Sequence, residues 1–166
     1  MAPNDSPSDQ LPWQDADQAE WLALMCGDAD AVKFIDDIAY WSHVYDDLID
    51  QDKPVAPDAI HTMMWKVMVA LPMNPFYRKH EQMLRPLIIN GIFNWHAANE
   101  MEASGSLEEL RVSHVIRHSL GDIALMAMAL TGGQEHAIKN ARRCRLLMQT
   151  GSWAQYRQEH SHADPE

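Results

Sequence analysis

Apolar residues recur every three or four positions along almost the whole chain, and no stretch alternates apolar with polar in the manner of a strand. That periodicity predicts helices over about 14–26, 29–50, 57–71, 76–103, 107–131 and 134–149, with weaker helical residues beyond Gly151. The punctuation agrees. Gly27 stops the first helix, Asp28 is placed to cap the second, and DKPVAP breaks the chain before Pro57 opens the third. LPMNP reads as a turn, and Pro86 should kink or split the long helix that follows. Ser106 with Glu109 makes an S-x-x-E capping box, and Gly132 with Gly133 closes the helix it opens. Five or six helices with short loops predict an all-α, single-domain bundle over 13–158. A flexible acidic arm over 1–12 and a flexible tail over 159–166 flank it.

Composition narrows the function classes. A chain of 166 residues, 46% hydrophobic, fits one packed domain, and 11 Met with 6 Trp give it large, adaptable side chains. A net charge of −11, from 24 acidic against 13 basic residues, argues against nucleic-acid binding, which needs clustered cations. It favours solubility, a bound cation or a basic partner. Cys26 and Cys144 form neither a disulfide framework nor a zinc motif and read as two reduced core thiols. MAPNDSPSDQLPWQDAD lacks the regions of a secretory signal, and no apolar run nears the roughly 20 residues of a membrane span, so the expected location is cytoplasmic, with no membrane partner.

Candidate chemistry centres on FIDDIAYWSHVYDDLID, residues 34–50, which hold five aspartates and a histidine. At about 100° per residue, Asp36, His43, Asp47 and Asp50 share a stripe flanked by Tyr40 and Asp46. Phe34, Ile38, Trp41, Tyr45, Leu48 and Ile49 lie opposite. A solvated acidic face is one reading. Against it, Asp46, Asp47 and Asp50 repel one another and crowd the negative end of the helix dipole. A cation would relieve that: a metal, a Lys or Arg from a neighbouring helix, or a partner. Carboxylates at this spacing suit Mg²⁺ or Mn²⁺, and His43 leaves Zn²⁺ as a weaker option.

Two other polar groups stand ready to complete such a site. In SHVIRHSLGD, His114, His118 and Asp122 are spaced four apart, a weak metal signal that also fits the polar edge of a buried helix. In LIINGIFNWHAANEMEA, Asn90 and Asn94 lie one turn apart and suit a core hydrogen-bond network or support for ligands, while Glu100 and Glu102 read as solvated. The chain carries no phosphate-binding loop, dinucleotide fingerprint or nucleophile elbow. Cys144, between Arg143 and Arg145, is placed for a lowered thiol pKa, although RRCR reads more simply as a basic helix face available to dock on the aspartates.

DDLID resembles the DDxxD element of trans-isoprenyl diphosphate and terpene synthases, which implies Mg²⁺ on Asp46, Asp47 and Asp50. The second motif of that family is matched only by Asn94 and Glu102, with Ala98 in place of the serine, and those synthases are much longer. HVYDDLIDQDKPV, ALPMNPFYRKH and NWHAANEME together resemble small helical proteins encoded by tailed bacteriophages. That likeness implies an accessory or host-protein-binding role in the virion or host cytoplasm.

Two expectations from different classes follow. In one, the bundle is a metal-dependent hydrolase or lyase of a small phosphate or diphosphate compound. Asp36, His43, Asp47, Asp50, His118 and Asp122 hold the ion, and Asp46, Asn90 and Asn94 serve the reaction. In the other, the protein works without catalysis by docking a protein partner, or a second copy of itself, on the acidic helix. An exposed patch around Trp65, Trp95 or Trp153 would mark it.

Overall fold

The computed structural model describes residues 18–51, 54–149 and 151–160. Every regular element among them is helical: α1 (Gln18–Leu24), α2 (Ala29–Asp50), α3 (Pro57–Trp65), α4 (Leu71–Met73), α5 (Pro75–Ala103), α6 (Leu107–Ile116), α7 (Leu120–Leu147) and α8 (Trp153–His160). The protein is all-α, as the periodicity predicts. The arm over 1–12 lies outside the described residues, as does most of the tail, although its first two residues belong to α8. The chain divides into two compact units, one formed up to Glu81 with Leu130–Gly132, the other by Gln82–Ala129 and the residues from Gly133 onward.

In the first unit the predicted caps form. Asp28 accepts a hydrogen bond from the Ala31 amide at 2.9 Å, opening α2. Phe34 stacks on Tyr77 and tilts against Phe76, with ring centroids 5.6 and 5.7 Å apart. The third helix differs from its expected form. Instead of ending at an LPMNP turn, α3 passes through a π-helical turn, Lys66–Ala70, into α4. The Leu71 amide there donates to the Lys66 carbonyl, five residues back. Pro72 supplies the cause: its ring clashes with the carbonyl four residues earlier and it has no N–H, so the backbone widens over the preceding turn. The true break is Asn74. Its Oδ1 accepts from the Tyr77 amide at 2.9 Å, capping α5, and its Nδ2 donates to the Asp30 carbonyl at 2.9 Å, tying that cap to the start of α2.

The second unit also departs from expectation in two places. The helix runs on through Pro86, which is exposed. The predicted helix over 107–131 is interrupted at residues 117–119. Here amides reach carbonyls three residues back, His118 to Val115 at 3.3 Å and Ser119 to Ile116 at 3.2 Å. Ser119 Oγ bonds back to the Ile116 carbonyl, competing with the helical ladder. The break predicted at the glycine pair is present: Gly133, at φ 80° and ψ 172°, occupies a conformation only glycine takes readily and divides α7 into two helical arms.

Candidate functional site

The face of α2 that matters most chemically is not the predicted one. Asp37, the neighbour of the expected ligand Asp36, is buried at 2% exposure in the middle of the first unit's packing. Its Oδ1 accepts from Lys66 Nζ at 2.5 Å, and its Oδ2 from Lys33 Nζ at 3.0 Å. Lys66 also sits 5.2 Å from the centre of the Tyr40 ring. Two ammonium groups, one of them delivered by the π turn, therefore answer the charge at the buried part of α2. Asp36 is half-buried beside this group. Burial raises its carboxyl pKa, offset in part by Lys66, raised further by Asp37 and lowered by Lys33.

The remaining α2 candidates lie toward the helix end. His43 Nε2 is 3.7 Å from Asp47 Oδ2, one turn along. Asp46 and Asp47 are half-buried, and Asp50 is exposed. Ile49, assigned to the packed side, is half exposed instead, because α2 leaves the core in its last turn.

The second unit distributes its candidates differently. His114 and His118 are brought together, ring centroids 5.1 Å apart, and His118 Nδ1 lies 2.6 Å from the His114 carbonyl. Burial, with the nearby His118, lowers the His114 pKa. Asp122 leaves that pair and bonds Arg145, whose side chain crosses Gly121 so closely that a Cβ there would meet Nη1 at 2.9 Å. Asn94 is half-buried and donates to Ser119 Oγ at 2.7 Å, whereas Asn90 is exposed, so the expected pairing of the two asparagines in a core network does not form.

Glu102, read from sequence as solvated, is buried at the heart of a polar cluster. Arg117 donates to it through Nε at 2.6 Å and Nη2 at 2.5 Å, and Tyr156 Oη also donates to it. Ser113 Oγ lies 2.8 Å from that phenol oxygen, and His160 Nε2 lies 3.6 Å from the carboxylate. Burial pushes the Glu102 carboxyl up, but the Arg117 and Tyr156 hydrogen bonds outweigh it and hold the pKa below 4.5. Burial, reinforced by Glu102, pushes Tyr156 up to about 12. These contacts join residues 15 and 54 positions apart, which no local pattern announces. The same cluster occupies the glutamate that the synthase likeness would assign to metal.

The thiol expectations fail in two ways. Cys26 is exposed, not in the core. Cys144 is fully buried, and burial pushes its pKa up to about 11 despite the adjacent Arg145 charge. Among the described residues no three His, Cys, Asp or Glu side chains gather in a way that could hold a metal ion.

A different feature is exposed on α3 and α4. Met64, Trp65, Met68 and Met73 are 50–70% exposed. Of the three tryptophans singled out in the sequence, Trp65 is the exposed one, while Trp95 and Trp153 are half-buried, the latter 5.5 Å from the His114 ring. Spacings of three and four place Met64, Trp65 and Met68 on one face. Met73, in α4 beyond the π turn, is exposed as well. Asp58 and His61, both exposed, continue the same stripe toward the start of α3.

No protein-family model matches the chain, and no curated protein or solved structure matches it either. Among the described residues, no helix is long and apolar enough to cross a membrane.

Proposed function

We propose that this chain acts by binding another protein, and that the exposed face of α3 and α4 is the binding surface. The observation that carries this reading is the run of Met64, Trp65, Met68 and Met73 in solvent. Burying such a side chain stabilises a fold by roughly 1.5–3 kcal/mol. The four left in solvent along this segment represent on the order of 500 Å² of apolar surface, near the upper end of what monomers expose in one patch. Methionine and tryptophan also suit an interface, the first by adaptable shape and the second by large rigid area. This reading coincides with the host-protein-binding role implied by the likeness to phage-encoded helical proteins.

The metal-dependent phosphate chemistry considered from sequence has less support. On α2, His43 lies 3.7 Å from Asp47, and among the described residues no three ligands gather, whereas a Mg²⁺ or Mn²⁺ site needs several oxygen ligands.

Site-specific photocrosslinking in the expressing cell tests the proposal. A photoreactive residue at Met68 should give discrete adducts with one protein, and the same residue at the exposed Lys139 should not. Identical adducts from both positions, or none from Met68, would sink it.

A further inference from the structure

We infer that the segment bound by this face is a basic amphipathic helix, its apolar side on Trp65 and Met68 and its lysines or arginines against the carboxylates at the α2–α3 corner. The inference rests on the protein-binding reading above and adds the partner's chemistry to it.

Charge is the first argument. Lys66 meets Asp37 and Ala59 meets Tyr40, at 3.5 Å from its hydroxyl, so α2 and α3 run antiparallel. The last turns of α2, with Asp46, Asp47 and Asp50, therefore lie toward the start of α3, where Asp58 is exposed. Over residues 57–73 the sequence PDAIHTMMWKVMVALPM has one Lys and no Arg, and that Lys66 is committed to Asp37. The apolar face thus leads toward exposed Asp58 and Asp50, and the one lysine along it is engaged by Asp37.

The same charge disfavours the other occupants. A second copy would bring together two chains of net −11, and an anionic lipid surface would be repelled likewise. Shape is the second argument. From Asp58 to Met73 the chain is helical, spanning about 20 Å at the helical rise. A helix of about four turns matches that length and presents apolar residues at the complementary spacing.

The test uses the full chain and three labelled synthetic helices of about 18 residues. One has a leucine stripe with a Lys-rich polar face, one the same stripe with a Glu-rich face, and one the Lys-rich face with the stripe changed to serine. Fluorescence anisotropy should show the first binding about tenfold or more tighter than the others, and weakening several-fold between about 50 and about 300 mM salt. Trp65→Ser with Met68→Ser should reduce its affinity about tenfold, and Asp50→Asn with Asp58→Asn should flatten the salt dependence. All four positions are exposed, and circular dichroism checks that the variants remain helical.

Equal, face-dependent binding of the Glu-rich helix would overturn the basic-partner inference and leave the docking face standing. Equal binding of the serine-stripe helix would overturn the apolar face itself. Self-association of the chain that Trp65→Ser abolishes would assign the face to a second copy and overturn the inference. Failure of all three helices would overturn it as well, while the crosslink from Met68 decides the protein-binding reading separately.

Discussion

Asp37 and Lys66 offer the sharpest test of how the first unit is held together. Consider Asp37→Leu, Lys66→Met and the pair combined. The Asp37 side chain is 1% exposed, Lys66 22% and Lys33 56%. Removing one partner of a buried ion pair typically costs about 3–5 kcal/mol, because the other charge is left without compensation. Lys66→Met strands a fully buried carboxylate with only the largely solvated Lys33, which places its cost near that range, about 3 kcal/mol. Asp37→Leu strands an ammonium that retains the Tyr40 ring and some water, so its cost should be smaller, about 2 kcal/mol.

The double variant replaces the pair by apolar groups of similar size, and such replacements are often neutral. Its cost should fall well below the sum of the single costs, giving a coupling of about 2 kcal/mol or more. Urea unfolding followed by tryptophan fluorescence and circular dichroism measures all four proteins, and coincidence of the two signals checks the two-state treatment. Additivity within about 0.5 kcal/mol would refute the claim that these charges stabilise each other, and would demote the contact to an incidental surface pair.

The second unit should show an acid-sensitive centre at Glu102. Its folded pKa is depressed, so its contribution is present above 4.5 and lost as pH falls through the lower folded value. Glu102→Gln should cost about 2 kcal/mol at neutral pH and flatten the loss of stability on acidification, and a variant that melts like wild type at both pH values would remove the cluster's role. Asp36 has its pKa raised above 3.8, so the charged form is disfavoured by folding at neutral pH. Asp36→Asn is therefore expected to raise the melting temperature, and a fall would contradict the burial argument. Native protein should present one thiol to an aromatic disulfide reagent, Cys26, with Cys144 reacting only on unfolding; two fast thiols would show that the region around Cys144 opens readily. Calorimetry with Mg²⁺, Mn²⁺ and Zn²⁺ should give no stoichiometric site, whereas binding lost in Asp47→Asn with Asp50→Asn would restore the metal-dependent reading.

What the sequence made legible was local. The capping roles of Asp28 and Ser106 and the glycine break at Gly133 depend on a few consecutive residues, and each is present where the pattern puts it. What escaped was the meaning of charge. Asp36 and Asp37 are indistinguishable as letters, yet about 100° of helical rotation leaves one half-buried at the edge and carries the other into the core. The partner that permits this, Lys66, is 29 residues away, beyond any periodicity. Glu102 escaped for the same reason, since Arg117 and Tyr156 reach it from other helices. The dipole argument concerned Asp46, Asp47 and Asp50 at the far end of α2, whereas the two lysines meet Asp37 near its start.

Proline explains how that arrangement and the exposed face arise together. Without Pro72, α3 would continue as a regular helix through the turn that Lys66 now opens. The widened turn that Pro72 imposes begins at Lys66, the residue whose ammonium enters to meet Asp37. Tyr40 and the Asp37 contact occupy the side of α3 that faces α2. With that side filled by a polar contact and a ring, Trp65 and Met68 are left exposed. A core that chose an ion pair at this position has directed its largest adaptable side chains outward. On the proposed reading, a partner with an apolar, cationic segment would cover them and offset the cost of that choice.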